Sequence, residues 1–179
     1  MGDHQNVKTV LQLVAIGLWV ATAIAGPEAD AAKKQAQKCA DAMIAKDYDT
    51  VVAFTHTNLL RSPGGKEAVR KAIESGMKEV AEQGITFEKT TIGSPSEPKK
   101  VGKALVSLVP QEVILRTKDG RLKNESTLVA YSYDQGKNWT FADTDQMDEA
   151  TFFKYFPDLK GIISLPPKKE PVPLPDKKD

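Results

Sequence analysis

Cysteine is nearly absent. Cys39 is the only one in 179 residues, which excludes an internal disulfide and any multi-cysteine metal site. Histidine is almost as scarce, with His4 and His56 alone, so no zinc constellation of the His/Cys type can be assembled. Neither sign of charge is in excess. Twenty-five Lys and Arg against 24 Asp and Glu leave a formal net charge of +1, which argues against a nucleic-acid surface or a strongly acidic partner. Gly64-Gly65-Lys66 lacks the rest of a phosphate-binding loop and follows no convincing strand, which argues against nucleotide binding. No cofactor and no metal are implied.

What the chain does have begins with one apolar run, Val10 to Ala25, broken only by Gln12 and Thr22 and preceded by Lys8. Ala23-Ile24-Ala25 ends it with a small-x-small pattern, the architecture of a signal peptide. Its apolar length, about 16 residues, falls short of the roughly 20 that span a bilayer. The expectation is cleavage near Ala25, export to a periplasmic or extracellular space, and no stable membrane span afterwards. The remaining length suits one domain. Residues 26–160 read as a single α+β domain, and residues 161–179, rich in Pro and Lys, as an extended, largely unpacked tail.

From Asp30, a plausible N-cap, Ala32, Ala36, Cys39 or Ala40, and Met43 recur at helical spacing, with Gln37 and the lysines outside that stripe. Cys39 reads as a small buried hydrophobe. A shorter apolar segment runs from Val51 to Leu60, and Ser62-Pro63-Gly64-Gly65 punctuates the chain. Val69, Ile73, Met77 and Val80 then form the clearest helical stripe, with Glu67–Lys71 and Glu74–Lys78 as outward pairs and Gly84 as terminator. Beyond it the period changes. Ile85–Ile92, Val101–Thr117 and the stretch from the Lys118–Arg121 turn to Tyr133 read as strands. Leu105, Ser107 and Val109 share one face and Ala104, Val106 and Leu108 the other, while Pro110 marks a bulge or an edge. Asp148 or Thr151 can cap a short helix whose Phe152, Phe153, Tyr155 and Phe156 close one end of the core.

Ser132-Tyr-Asp134-Gln-Gly136-Lys-Asn-Trp139 matches the Ser-x-Asp-x-Gly-x-x-Trp pattern of the Asp-box. That resemblance implies an Asp that stabilises a hairpin turn and a Trp packed beneath it. One copy cannot build the propeller in which such boxes recur, so it is read as turn chemistry. His56 is the one histidine left after cleavage. Its ordinary pKa of about 6.5 suits acid–base work, although a lone histidine is more often structural. Asp47, Tyr48 and Asp49 suit helix termination. His56, Tyr131, Tyr133 and Trp139 are the candidate ligand-binding residues, with core pairing the plainer role for the aromatics.

Helix, short helix, Gly-Gly punctuation, long helix and then long strands, with Lys46-Asp-Tyr48 and Gly64-Gly-Lys-Glu-Ala-Val69, resemble the nuclear transport factor 2-like superfamily over about Asp30 to Asp143. The resemblance implies a strongly curved antiparallel sheet wrapped around N-terminal helices as a cone, an internal pocket, and dimerisation through the outer sheet face. The superfamily holds ketosteroid isomerase-like and polyketide cyclase-like enzymes beside members with no catalysis, and the isomerase Tyr and Asp pair has no residue-by-residue match here. A cystatin-like fold is the alternative architecture. The expected function is an exported, non-catalytic binding module for a small apolar or amphipathic ligand or a protein segment. The alternatives are a cofactor-independent isomerase or hydrolyase using His56, and a cell-envelope interaction protein.

Overall fold

A computed structural model describes residues 26–61 and 63–175. The expected signal peptide, Ser62 and the last residues of the tail lie outside them. Helix α1 (Pro27–Ile44) starts three residues before the expected cap, because Pro27 occupies its first turn behind an extended Gly26. Proline's fixed φ suits that position, and its missing N–H costs nothing there. Ala29, Ala32, Ala36 and Ala42 are buried, so the helix backbone lies close to the sheet.

Two glutamines fix α1 across that sheet. The Gln37 side chain donates to Thr90 O at 3.0 Å and accepts from Ile92 N at 3.2 Å. The Gln35 side chain donates to Lys137 O at 2.8 Å and accepts from Trp139 N at 2.9 Å. Each primary amide thus completes two backbone groups at an opposite margin of the sheet.

Helix α2 (Tyr48–Phe54) is capped by Asp47, whose carboxylate accepts from Thr50 N at 3.1 Å and Thr50 Oγ1 at 2.6 Å. The Asp47–Asp49 cluster is therefore structural: Tyr48 is buried, and Asp49 pairs with Arg70. After α2 and the short 3-10 turn Leu59–Arg61 comes α3 (Gly65–Glu82). The expected Glu67–Lys71 pair forms at 3.7 Å, but Glu74 takes Arg70 and Lys78 takes Glu82. Although α3 carries the strongest apolar stripe, none of its residues is buried.

Six antiparallel strands follow in one sheet: β1 (Thr86–Ile92), β2 (Lys99–Val101), β3 (Ala104–Thr117), β4 (Gly120–Ser132), β5 (Thr140–Asp143) and β6 (Val172–Leu174). The order is β1-β3-β4-β5, with β2 paired to β3 and β6 to β4. The strand expected over Val101–Thr117 is thus split, with β2 starting two residues earlier and β3 beginning at Ala104.

Pro110 causes no bulge. Its pairing with Thr127 continues the β3–β4 register without a shift, and the irregularity falls in β1 between Phe87 and Lys89. Pro110 sits where β3 changes its outer partner from β2 to β1, and its carbonyl accepts from Gly93 N at 2.8 Å. The missing N–H therefore faces a gap between two edge partners and interrupts no ladder.

Strand pairing assigns the two faces. Ile92, Val109, Leu128, Ala130, Trp139 and Phe141 pack with Ala32 and Ala36 on the helical face. Val101, Val106, Val129, Tyr131 and Ala142 pack on the outer face with Phe152, Phe156 and Leu159. Helix α4 (Glu149–Tyr155), capped by Asp148, supplies Phe152 to that second cluster, while Tyr155 stays exposed.

The tail is extended, as expected, but it is not loose. β6 pairs with β4 at Arg121–Lys123, and Lys168 Nζ and Lys169 Nζ reach Asp145 O and the Glu125 carboxylate. Beyond α4 the outer face carries ion pairs, Lys123 with Glu112 and Glu125, and Arg116 and Arg121 with Glu88. No helix among the described residues is long and apolar enough to cross a membrane.

Candidate functional site

The sequence candidates divide between the two faces. Ser132, Asp134 and Gly136 build the turn after β4: Ser132 Oγ accepts from Gly136 N at 2.9 Å, and Asp134 Oδ1 accepts from Asn138 N at 2.8 Å. The Asn138 backbone and side-chain amides and the Ser132 hydroxyl, all donating to Asp134, hold its carboxyl down at about 2. Gly136 has φ of +83°, and a Cβ there would meet Glu28 Cγ of α1 at 2.5 Å. Both its backbone conformation and its closeness to α1 therefore require glycine. Trp139 donates Nε1–H to Gly136 O at 2.9 Å and is 1% exposed, in the helical-face core. As a ligand-binding candidate it is displaced. It offers no free ring face and stands apart from the other three.

His56, Tyr131 and Tyr133 do meet, on the outer face. The chain leaves α2 as an isolated parallel bridge to β5, with His56 N donating to Phe141 O at 2.9 Å. That bridge carries the fully buried imidazole onto Tyr131, with ring centroids 4.3 Å apart, and Phe156 closes it at 5.0 Å. His56 Nδ1 accepts from Asn58 N at 3.1 Å. The proton of the neutral ring therefore sits on Nε2, which lies 3.3 Å from Tyr133 Oη and donates to it. Desolvation lowers the imidazole to about 4, with Asp158 opposing the shift and Arg61 adding to it. A ring whose lone pair is committed to Asn58 has none left to take a proton from a substrate. Tyr131 Oη is buried and has no hydrogen-bond partner among the described residues.

A second polar group, on the helical face, escaped the sequence reading. Gln111 on β3 donates Nε2–H to Ser126 Oγ at 2.7 Å and to Asp143 Oδ2 at 3.0 Å. Asp143 Oδ1 accepts from Asp145 N at 2.9 Å, and Asn124 donates to Asp145 Oδ2 at 3.3 Å. Burial pushes the Asp143 carboxyl up to about 6, despite the bonds it accepts. Cys39 shares its electrostatic environment. Burial first, and then the Asp143 charge, push the thiol up to about 12, so it is held as an unreactive thiol. The signal was the strand parity. Gln111 and Ser126 fall on the same side as Val109 and Leu128, polar residues where alternation places the apolar face.

Surface grooves of about 300 and about 260 Å³ are also present; neither contains His56, Tyr131 or Asp143, while Gln111 lines the second beside Pro110 and Glu125. Among the described residues no group of three or more His, Cys, Asp or Glu is disposed to hold a metal ion. The chain has no significant match to a protein-family model, a curated protein or a solved structure.

Proposed function

We propose that the chain is an exported, non-catalytic binding module of cone-like, nuclear transport factor 2-like build, and that it holds a small amphipathic molecule between α3 and the distal half of the helical sheet face. The observation that carries this is α3 itself. A helix whose Val69, Ile73, Met77 and Val80 form one stripe belongs against an apolar surface, yet none of its residues is buried. It starts beside α2, to which Arg70 ties it through Asp49, and delivers the chain to Thr86 at the start of β1. The helical-face residues near that end, Phe87, Val113, Leu115 and Leu122, are likewise only half-buried. Covering such surface returns roughly 25 cal/mol per Å², so a ligand of modest size has a driving force without any further folding of the chain.

The polar end of the ligand is set by Asp143 and Gln111. With its carboxyl at about 6, Asp143 is mostly ionised at neutral pH and partly desolvated. A hydroxyl or amine on the ligand would give it a donor. Catalysis through His56 draws no support from an imidazole whose lone pair is committed to Asn58. A free tether, as a cell-envelope interaction protein would need, draws none from a tail that folds back onto β4.

The test is binding of a neutral apolar fluorescent probe, N-phenyl-1-naphthylamine, to residues 26–179 and to the Ile73→Lys variant. Ile73 is half-buried on an exposed helix, so the variant should keep its far-ultraviolet circular dichroism. Probe affinity is expected to fall at least about tenfold, the equivalent of about 1.4 kcal/mol of lost apolar contact. Equal affinity in both proteins would sink the assignment of α3 as a wall.

A further inference from the structure

The outer-face cluster lies on the opposite side of the sheet from the surface assigned above to α3. Tyr133 follows the last residue of β4 and is 61% exposed, so its side chain is free to turn into solvent without disturbing the core. Its ring stacks on Tyr131 at 6.3 Å and 17°, and its oxygen accepts from His56 Nε2–H at 3.3 Å, a long bond for this pair. Behind it, Tyr131 Oη is buried without a partner, at a site walled by the rings of His56 and Phe156. A buried hydroxyl left unpaired costs free energy until something bonds it.

We propose that Tyr133 is an internal stand-in for a ligand, and that when it swings out the site receives a neutral phenol, whose ring replaces the Tyr133 ring and whose hydroxyl bonds both His56 Nε2–H and Tyr131 Oη. The fit follows from construction, since the departing side chain is itself a phenol. The gain over Tyr133 is the second bond: a ligand free of the backbone can settle deep enough to reach the orphaned Tyr131 hydroxyl. Selection for the neutral form follows from the surroundings. Burial and the Asp158 charge raise the pKa of both tyrosines, and the same desolvation and repulsion would oppose a phenolate or carboxylate.

The experiment is NMR titration of residues 26–179, which hold every described element of the fold, with p-cresol, and with toluene as the ring without a hydroxyl. Three proteins are compared: wild type, Tyr133→Ala and Tyr133→Phe. Tyr133→Ala should bind p-cresol at least about tenfold more tightly than wild type, since no side chain competes. Tyr133→Phe, which keeps the ring but loses the bond to His56, should gain about fivefold, the usual worth of one hydrogen bond. Toluene should bind Tyr133→Ala at least about fivefold more weakly than p-cresol does. No gain in either variant overturns the proposal. So does toluene binding as tightly as p-cresol, which would leave only an apolar hole. Because Tyr133 is exposed, both variants should retain the wild-type circular dichroism, and the Phe variant carries the test if the Ala variant does not.

Discussion

Trp139→Ala is expected to lower folding stability by about 4 kcal/mol, the range for emptying a large aromatic site in a packed core. The indole is 1% exposed and sits among Ala32, Ala36, Val109 and Ala130. Alanines on α1 cannot lean in to fill the space, so the cavity stays open. The loss also reaches the turn, because Trp139 Nε1–H is the donor to Gly136 O, and α1 is fastened at the same place through Gln35. Against a typical total of 5–15 kcal/mol, this is enough to populate the unfolded chain at 37 °C. Urea unfolding at 25 °C measures it. A loss under about 1 kcal/mol would mean that Trp139 is not the anchor of the α1–sheet contact. The Asp-box in this chain is then a piece of fold architecture, in which the carboxylate sets the turn and the tryptophan nails the turn to the first helix.

The second large effect is a concealed pH dependence. His56, lowered from 6.5 to about 4, is neutral in the folded protein where the unfolded chain is already protonated. Its contribution to stability is full above about pH 6.5 and is lost as pH falls towards about 4. Asp143 acts in the opposite sense. Raised from 3.8 to about 6, it binds a proton in the folded state that the unfolded chain has released, so stability falls as pH rises from about 4 to about 6. At about 1.4 kcal/mol per pKa unit each group is worth about 3 kcal/mol, and the two nearly cancel. Wild type should therefore show an almost flat stability profile between about pH 4 and 6. Asp143→Asn should uncover the histidine and lose about 3 kcal/mol on acidification across that window. His56→Phe should uncover the carboxyl and lose a similar amount on going the other way. Asp134, held down at about 2, acts below this range, and Glu125, also held down at about 2 from an ordinary 4.5, enters only its lowest part. Denaturant midpoints collected across pH 4–7 for the three proteins decide the matter. Parallel profiles would contradict it.

Most of the helical and hairpin structure was legible because its signals are local. The Ala32–Ala36 stripe, the Asp148 cap, the Asp-box turn and the β3–β4 hairpin are each written within a few residues. What was not legible depends on partners distant in sequence. Pro110 reads as a bulge because a proline in a long strand ordinarily breaks a ladder; its harmless placement depends on β1 and β2 sharing one side of β3. The tail reads as loose because prolines give no core signal, while β6 needs only three residues and an open stretch of β4. The stripe on α3 promises burial that the fold does not provide. Gln111, Ser126 and Asp143 share a face only through the pairing of β4 with both β3 and β5, which no short stretch of sequence encodes. His56 could be singled out by its rarity, but its tautomer follows from Asn58 N–H alone.

Native mass spectrometry of residues 26–179, purified from the host without refolding, tests the binding assignment most directly. The prediction is a retained molecule of small mass, released when Ile73 is changed to Lys and held less tightly by Asp143→Asn. A chain that emerges empty from wild type, and that gains no thermal stability from any member of a panel of small amphipathic compounds, would contradict it.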